Sequence, residues 1–374
     1  MSVVLLVLGL ILFVGLVVVH EFGHFLAARR NGVDVEEFGV GFPPRAWSKK
    51  TKGGFIFSLN WLPIGGFVKL KGESDAATEK GTLGAASTAA KAKIMLAGVT
   101  MNLIVAFLLL TVLGWIGMPQ LIDNQFTIKN DTTVLKSQVL AGYVEAGSPA
   151  TKSGLQARDE IQTISYAGRT ERLKSAAELP QVTEKFAGKT VEIGYVHSGH
   201  LKTTSVHLRD QQTVEASKKT DKPKGYLGVS PTEYKTTRST WSAPITAAGL
   251  IWQFTVATFH GLGTAIAAVF QGQGSKAAEQ VSGPVGIVVI LKDGSLLGIQ
   301  FILMIIAIIS LTLAIMNVLP IPALDGGRLY MILLSRLFGR RLTQDMEERI
   351  VGSSFIFLLF LIVLITIVDV KRFF

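Results

Sequence analysis

His20-Glu21-Phe22-Gly23-His24 puts two imidazoles four residues apart with a carboxylate beside the first. On a helix such positions share one face a turn apart, so His20 and His24 can aim ring nitrogens at one ion. His-Glu-x-x-His is a zinc-hydrolase pattern, with Zn–N bonds of ~2.0–2.1 Å. Glu21 is rotated roughly 100° from His20, which places it beside the ion where an attacking water would lie. A carboxylate there takes a proton from that water and later returns it to a leaving amine. Gly23 is expected to leave room next to the ion. The alternative is a helix end whose polar residues meet lipid headgroups.

The element that must carry this motif is unusual. Residues 3–19 hold no charge and no strong polar group, and the motif follows at once. Ionisable groups at membrane depth are costly and mark function by default. The run lacks a basic leader and a small-x-small cleavage site, so a retained helix is expected rather than a signal peptide.

The whole chain agrees with a membrane setting. Its 374 residues are 49% hydrophobic and only 17% charged, with a mean hydropathy of +0.43. There is no cysteine, hence no disulfide framework and no thiolate metal site. The net charge of +10 gathers beside the apolar runs, the pattern of lipid-facing loops rather than of nucleic-acid binding.

Four runs have the length and apolarity of membrane spans: about 3–24, 94–117, 299–319 and 350–368. A fifth, 241–270, is interrupted by Pro244, Gln253, His260 and several glycines, and is expected to be a membrane-associated helix. The basic residues Arg29, Arg30, Arg45, Lys49, Lys50, Lys52, Lys69, Lys71, Lys80, Lys91 and Lys93 follow span 1. Arg328, Arg336, Arg340, Arg341 and Arg349 precede span 4. Positive-inside bias then puts 29–93 and 328–349 in the cytoplasm and 118–240 outside. Five spans would put the second cluster on the wrong side.

A catalytic zinc site needs a third protein ligand. No further histidine is suitably placed, so a carboxylate must serve. Asp325, in Asn317-Val-Leu-Pro-Ile-Pro-Ala-Leu-Asp325-Gly-Gly327, lies towards the same side as the histidines. Asp369 is excluded by depth, and Asp345, Glu347 and Glu348 read as solvated charges. Pro320 and Pro322 stop the helix and remove two backbone donors; Gly326 and Gly327 allow close backbone approach. Irregular backbone at this depth is tolerated only against protein or a wet cavity. It could present Asp325 to the ion and leave Asn317 for a substrate backbone.

With these residues in view, the chain resembles the site-2 protease family of intramembrane zinc metalloproteases (peptidase family M50), in its RseP-like branch. The carriers are H-E-F-G-H in the first span and N-x-x-P-x-P-x-L-D-G-G at the third. Leu62-Pro-Ile-Gly-Gly-Phe-Val-Lys69 is similar to the family's membrane-associated β-hairpin, and Ser282-Gly-Pro-Val-Gly-Ile287 to its segment before the third span. Two stretches depart from the family. Gly98-Val-Thr-Met-Asn102 stands where G-P-x-x-N is common, and Gly41-Phe-Pro-Pro44 where G-F-G-P is common.

Val144–Leu155 with Ala157–Ile161 resembles a bacterial-protease PDZ domain, with room for one such domain where RseP carries two. Its later strands would be 191–196 and 203–208, and 225–229 its groove strand and carboxylate loop if it is circularly permuted. PDZ grooves take an extended segment by strand addition. His197, His200 and His207 are expected to be solvated, and 73–92 a flexible loop. The segment 55–70 reads as two short strands around Pro63 and Gly65-Gly66, with an edge free to pair with an unwinding substrate.

The expected fold is a polytopic α-helical membrane protein with four transmembrane helices, a membrane-associated β-hairpin region and an inserted extracytoplasmic PDZ domain. Its segments are the first transmembrane helix (1–30), a cytoplasmic β segment (31–93), the second transmembrane helix (94–118) and the PDZ domain with its flanks (119–234). There follow a membrane-associated linker (235–297), the third transmembrane helix (298–327), a cytoplasmic loop (328–349) and the fourth transmembrane helix (350–374).

The resemblance implies a zinc endopeptidase of the bacterial cytoplasmic membrane that cleaves in or beside the spans of other membrane proteins. Its active site would face the cytoplasm. His20, His24 and Asp325 would hold zinc, Glu21 would act as base and then acid, and Asn317, Asn102, Gly65 and Gly66 would meet the substrate. Partners would be single-span proteins such as an anti-sigma factor or signal-peptide remnants, the lipid bilayer, and a peptide or protein at the PDZ groove. A metal or proton transporter is the main rival, though no internal repeat is visible. An inactive span-binding pseudoprotease is the other.

Overall fold

The computed structural model describes residues 2–122, 124–197, 199–218, 223–339 and 343–374. Contacts divide the chain into two units, Met1–Ile116 with Phe126–Ile128 and Trp241–Phe374, and Gly117–Gln125 with Lys129–Thr240.

The first unit opens with helix α1 (Ser2–Arg30). Its apolar run has no backbone partners in lipid except its own, so helix is the available solution. Arg29 and Arg30 sit at the negative end of its dipole. Gly32, at φ +73°, ends it, and Val33 N–H reaches back to the Ala28 carbonyl at 3.0 Å, a Schellman closure.

Strands β1 (Val35–Lys50) and β2 (Ile56–Leu70) then form a small sheet with several register shifts. The two short stretches expected in 55–70 belong to one long strand. Residues 66–70 of β2 pair with 35–40 of β1, which also runs beside 56–59, and 56–59 meets 47–50 on its other side. Val35↔Leu70 and Val40↔Gly66 leave the outer edge of 66–70 free of further strand partners among the described residues.

Helix α2 (Thr88–Ile116) starts six residues before the expected span. The Ser87 hydroxyl accepts from Ala90 N–H at 3.2 Å and caps it. The segment before it is not the loose loop expected. Lys91 and Asp75 are both buried and form an ion pair, Lys91 also donates to the Gly84 carbonyl at 2.8 Å, and Arg336 reaches Asp75 at 3.2 Å. Burying such charges demands this full set of partners, and the partners order the chain around them.

The second unit is built on a seven-stranded sheet. Its elements are β3 (Met118–Pro119), β4 (Thr133–Val144), α3 (Pro149–Lys152), β5 (Glu160–Tyr166), β6 (Arg169–Arg172), α4 (Glu178–Lys185), β7 (Thr190–His197), β8 (His200–His207), α5 (Gln211–Ser217) and β9 (Val229–Arg238). The strand order is β3-β9-β4-β5-β7-β8, with β6 on β5. Ile161, Ile164, Val191, Ile193, Val206 and Leu208 form the centre of its core. Val191 and Ile193 share a face of β7 by the period-two alternation of a strand, and a register shift between Ile161 and Thr163 lets Ile161 and Ile164, three residues apart, both enter the core. His197 is not simply solvated, since its Nδ1 lies 2.7 Å from the buried Asp159 carboxylate. His207 meets the Thr190 hydroxyl at 3.1 Å.

The first unit resumes with α6 (Ala243–Phe270), α7 (Gly274–Glu279), α8 (Pro284–Gly294), α9 (Ile299–Val318), α10 (Asp325–Leu337) and α11 (Gln344–Phe373). Five helices among the described residues, α1, α2, α6, α9 and α11, are long and apolar enough to cross a membrane, where four spans were expected. The segment 241–270 is an unbroken helix because Pro244 falls in its first turn, where no backbone donor is needed. The expected third span, 298–327, is two helices. Leu319 takes the extended conformation (φ −61°, ψ 150°) that a following proline imposes, and Asp325 starts a new helix.

Residues 328–349 are correspondingly not a plain loop, although Arg340 and Arg341 lie outside the described residues. Glu347, read as solvated, is buried and accepts from Ser74 Oγ at 3.2 Å and Asp75 N–H at 3.0 Å. Asp369 is buried too. One carboxylate oxygen accepts from Gly283 and Gly286 N–H at 2.9 and 2.8 Å, at the electropositive start of α8.

Candidate metal centre

α1 brings His20 and His24 to one face, and the rings meet edge to face with centroids 4.8 Å apart. The turn after α9 brings Asp325 to them. Asp325 Oδ2 lies 3.0 Å from His20 Nε2 and 3.1 Å from His24 Nε2, and the two Nε2 atoms are 3.2 Å apart. Both histidines are 7% exposed, so water does not separate these atoms.

Two glycines let Asp325 arrive there. A methyl on Gly327 would stand 1.9 Å from the Ile321 carbonyl oxygen, and one on Gly326 2.3 Å from that of Val318. The start of α10 therefore packs directly onto the proline turn, which only glycine allows.

The donor set fits zinc. His24 Nδ1 lies 2.8 Å from the Ile94 carbonyl, which can only accept. Nδ1 therefore carries the proton, and Nε2 of the neutral ring presents a lone pair to His20 and Asp325. With the His20 proton likewise on Nδ1, the three atoms would all present lone pairs, and a cation between them would join them. Zn–N bonds of ~2.0–2.1 Å imply donor separations of roughly 3.3 Å in a tetrahedral site, close to the distances found. Two imidazole nitrogens and one carboxylate oxygen leave a tetrahedral position open, as catalytic zinc sites do.

Glu21 lies next to this triangle and is half-buried. Its Oε2 accepts from Val68 N–H, on the free edge of β2, at 3.1 Å. A methyl on Gly66 would come within 3.6 Å of Glu21 Cγ, so the edge strand passes close to the carboxylate. Gly65, at φ +97°, sits just before it.

Other expected residues fall differently. Gly23 faces α2, where an added methyl would stand 2.6 Å from the Ala97 carbonyl oxygen, so it serves helix packing rather than space at the ion. Asn102 is 1% exposed, with its amide 3.3 Å from His20 Nδ1. That position is buried and turned to the His20 ring. Asn317 is half-buried near the end of α9.

Three contributors escaped the sequence reading: the Ile94 carbonyl, Gly98 and the Val68 N–H. A methyl on Gly98 would stand 2.5 Å from His24 Nε2 and 2.6 Å from the His20 ring. Positions 94, 98 and 102 form one four-residue stripe on α2, which could have signalled them. A cavity of about 610 Å³ opens beside the first turn of α10, lined by Glu73, Ser74, Arg328, Glu347, Glu348 and Phe355 among others.

An H-E-x-x-H helix completed by a carboxylate from a distant broken helix, in a chain of long apolar helices, defines a membrane metalloprotease. Comparison with known proteins agrees. The model of peptidase family M50 matches residues 8–361, and the chain belongs to that family. A candidate zinc metalloprotease of Clostridium acetobutylicum is 29% identical over 378 residues, covering 99% of this chain and 98% of the relative. The regulator of sigma-W protease RasP of Bacillus subtilis is 24% identical over 448 residues, covering 98% of each. The zinc metalloprotease RasP of Bacillus licheniformis is 25% identical over 447 residues, again covering 98% of each. The chain is thus a multi-pass intramembrane metalloprotease that uses zinc.

Proposed function

We propose that His20, His24 and Asp325 hold the zinc, and that Glu21 serves as general base and then general acid in hydrolysis of peptide bonds in or beside the spans of other membrane proteins. The observation that carries this is the meeting of three donor atoms within 3.2 Å of one another, with Glu21 one position along the same helix. When bound, zinc polarises a scissile carbonyl and lowers the pKa of water. Glu21 takes the proton from the attacking water and passes it to the departing amine. The Val68 N–H orients the carboxylate between those two tasks.

The free edge of 66–70 suits an extended substrate. Peptide bonds of an intact helix are shielded, so the substrate must unwind, and pairing with an edge strand satisfies the backbone groups it exposes. Gly65 and Gly66 keep that edge clear, and Asn317 with the carbonyls of the proline turn offers further partners.

The topology is four spans, with α6 associated with the membrane. Gly114, near the end of α2, packs against Ala243 at the start of α6. Asp369, near the end of α11, holds Gly283. If α6 crossed, only the short stretch 271–282 would remain to bring the chain back. Four spans put both basic clusters in the cytoplasm, with the zinc towards that side and the second unit outside.

That second unit serves as a PDZ domain. The carbonyls of Tyr226 and Leu227 accept from Arg209 and Ala150 N–H, each at 3.0 Å. Peptide planarity then turns the N–H groups of Leu227 and Gly228 the opposite way, forming a nest for a carboxylate beside β9. Its ligand would be the end of a protein already cut outside the membrane. By the name of the Bacillus subtilis relative, the substrate class is a membrane-anchored regulator such as an anti-sigma factor. Signal-peptide remnants are a second class.

The deciding experiment measures zinc content and cleavage of a single-span substrate in wild type and Glu21→Gln. Retained zinc with cleavage lost is expected. Unchanged cleavage would remove Glu21 from the mechanism, and transport without any cleavage would favour the rival reading.

A further inference from the structure

We infer that Asn102 is a positioning residue for the metal-binding face of His20: its amide oxygen accepts a hydrogen bond from His20 Nδ1–H, which holds the ring proton there and leaves Nε2 free for zinc. The inference rests on reading His20 as a ligand. Three observations carry it. Asn102 is 1% exposed with its amide 3.3 Å from His20 Nδ1. Its Oδ1 is buried and has no hydrogen-bond partner among the described residues. Its own backbone carbonyl accepts from Ser310 Oγ at 2.8 Å, which ties this turn of α2 to α9.

The logic is that of tautomers. Whichever ring nitrogen carries the proton, the other presents the lone pair. With the amide NH₂ facing His20 Nδ1 at 3.3 Å, the ring proton lies on Nε2, the nitrogen that faces Asp325 and His24. A half-turn of the amide exchanges two groups of almost equal shape. The unpartnered oxygen then meets Nδ1, and the ring proton moves to Nδ1 to be accepted there. His24 already has this arrangement through the Ile94 carbonyl. One stripe of α2 thus orients both rings, by a backbone carbonyl at 94 and a side-chain amide at 102. Partners of this kind commonly govern metal affinity by 10–100-fold.

The test uses the full-length protein in detergent, dialysed against graded chelator, with zinc content measured and the unfolding midpoint of metal-free protein recorded alongside. Asn102→Leu is expected to weaken zinc binding about 10–100-fold with little change in the metal-free midpoint. Asn102→Asp, which keeps shape and acceptor, is expected to hold zinc at least as tightly as wild type. Wild-type affinity in the Leu variant overturns the inference, and so does an Asp variant that loses tenfold. Should the Leu variant fail to fold, the Asp variant decides alone by the same criterion. Unchanged affinity in His20→Ala would overturn the ligand reading and this inference together. Loss in His20→Ala with retention in Asn102→Leu overturns this inference only.

Discussion

Glu21 Oε2 accepts a hydrogen bond from Val68 N–H at 3.1 Å, joining the carboxylate on α1 to the outer edge of the sheet that follows it. The contact couples the proposed base to the strand on which a substrate would lie. Val68 stands opposite Phe38 in that sheet, yet its N–H is spent outward on Glu21.

The Val68 N–H can therefore be removed with little loss to the sheet. Proline lacks the donor and is tolerated at a strand edge. A hydrogen bond to a charged group contributes ~1.5–3 kcal/mol, so Val68→Pro is expected to lower kcat by about 10–100-fold at unchanged zinc content. Full activity in a folded variant would sink the assigned role.

Gly98 has no side chain because two imidazoles occupy the space. Gly98→Ala puts a methyl 2.5 Å from His24 Nε2, so the rings must move off the metal. Zinc stoichiometry should fall sharply. Gly15→Ala, where nothing lies within 4 Å on the same α1 that carries the histidines, should retain zinc and activity. Equal zinc content in both variants would contradict the geometry.

Removal of the metal should destabilise the first unit as well as stop cleavage. A ligand bound only by the folded state adds ~4 kcal/mol at a thousandfold excess over Kd. Chelation is expected to lower Tm, and zinc to restore both Tm and cleavage. A Tm indifferent to chelator, in protein verified as metal-free, would argue against these three residues as the site.

The buried Lys91–Asp75 pair braces the chain before α2 against α10, through Arg336. Lys91→Met leaves the buried Asp75 carboxylate with Arg336 as its one remaining cation among the described residues and should cost less than the ~3–5 kcal/mol of a fully unpaired buried charge. Asp75→Leu combined with Lys91→Met should cost less than Lys91→Met alone, since Arg336 is part-exposed and can turn to water. Denaturant unfolding in detergent measures both, and a double variant worse than the single one would refute this account.

Much of the site was legible because its chemistry is local in sequence. His20, Glu21 and His24 share one helix, and the four-residue period needs no tertiary information. Asp325 could be reached by sidedness, since charge bias along the chain orders segments across a bilayer. Glu347, expected to be solvated, is buried for the opposite reason. A carboxylate's burial depends on which distant groups meet it, here the Ser74 hydroxyl and the Asp75 N–H, and no pattern near the residue signals them. The composition of 241–270 suggests an interruption that the structure does not contain, because Pro244 falls in the first turn of α6, where no backbone donor is lost.

The amino-acid sequence by itself determined the membrane setting, the H-E-x-x-H helix and the helix stop at Pro320 and Pro322 ahead of Asp325, since each follows from the period, apolarity or backbone limits of a short stretch. Only the tertiary structure decided that Asn102 faces the His20 ring, that Gly98 is empty for the sake of two rings, and that Val68 N–H meets Glu21. These are contacts between elements, and their partners lie tens of residues apart, where neither spacing nor propensity reaches.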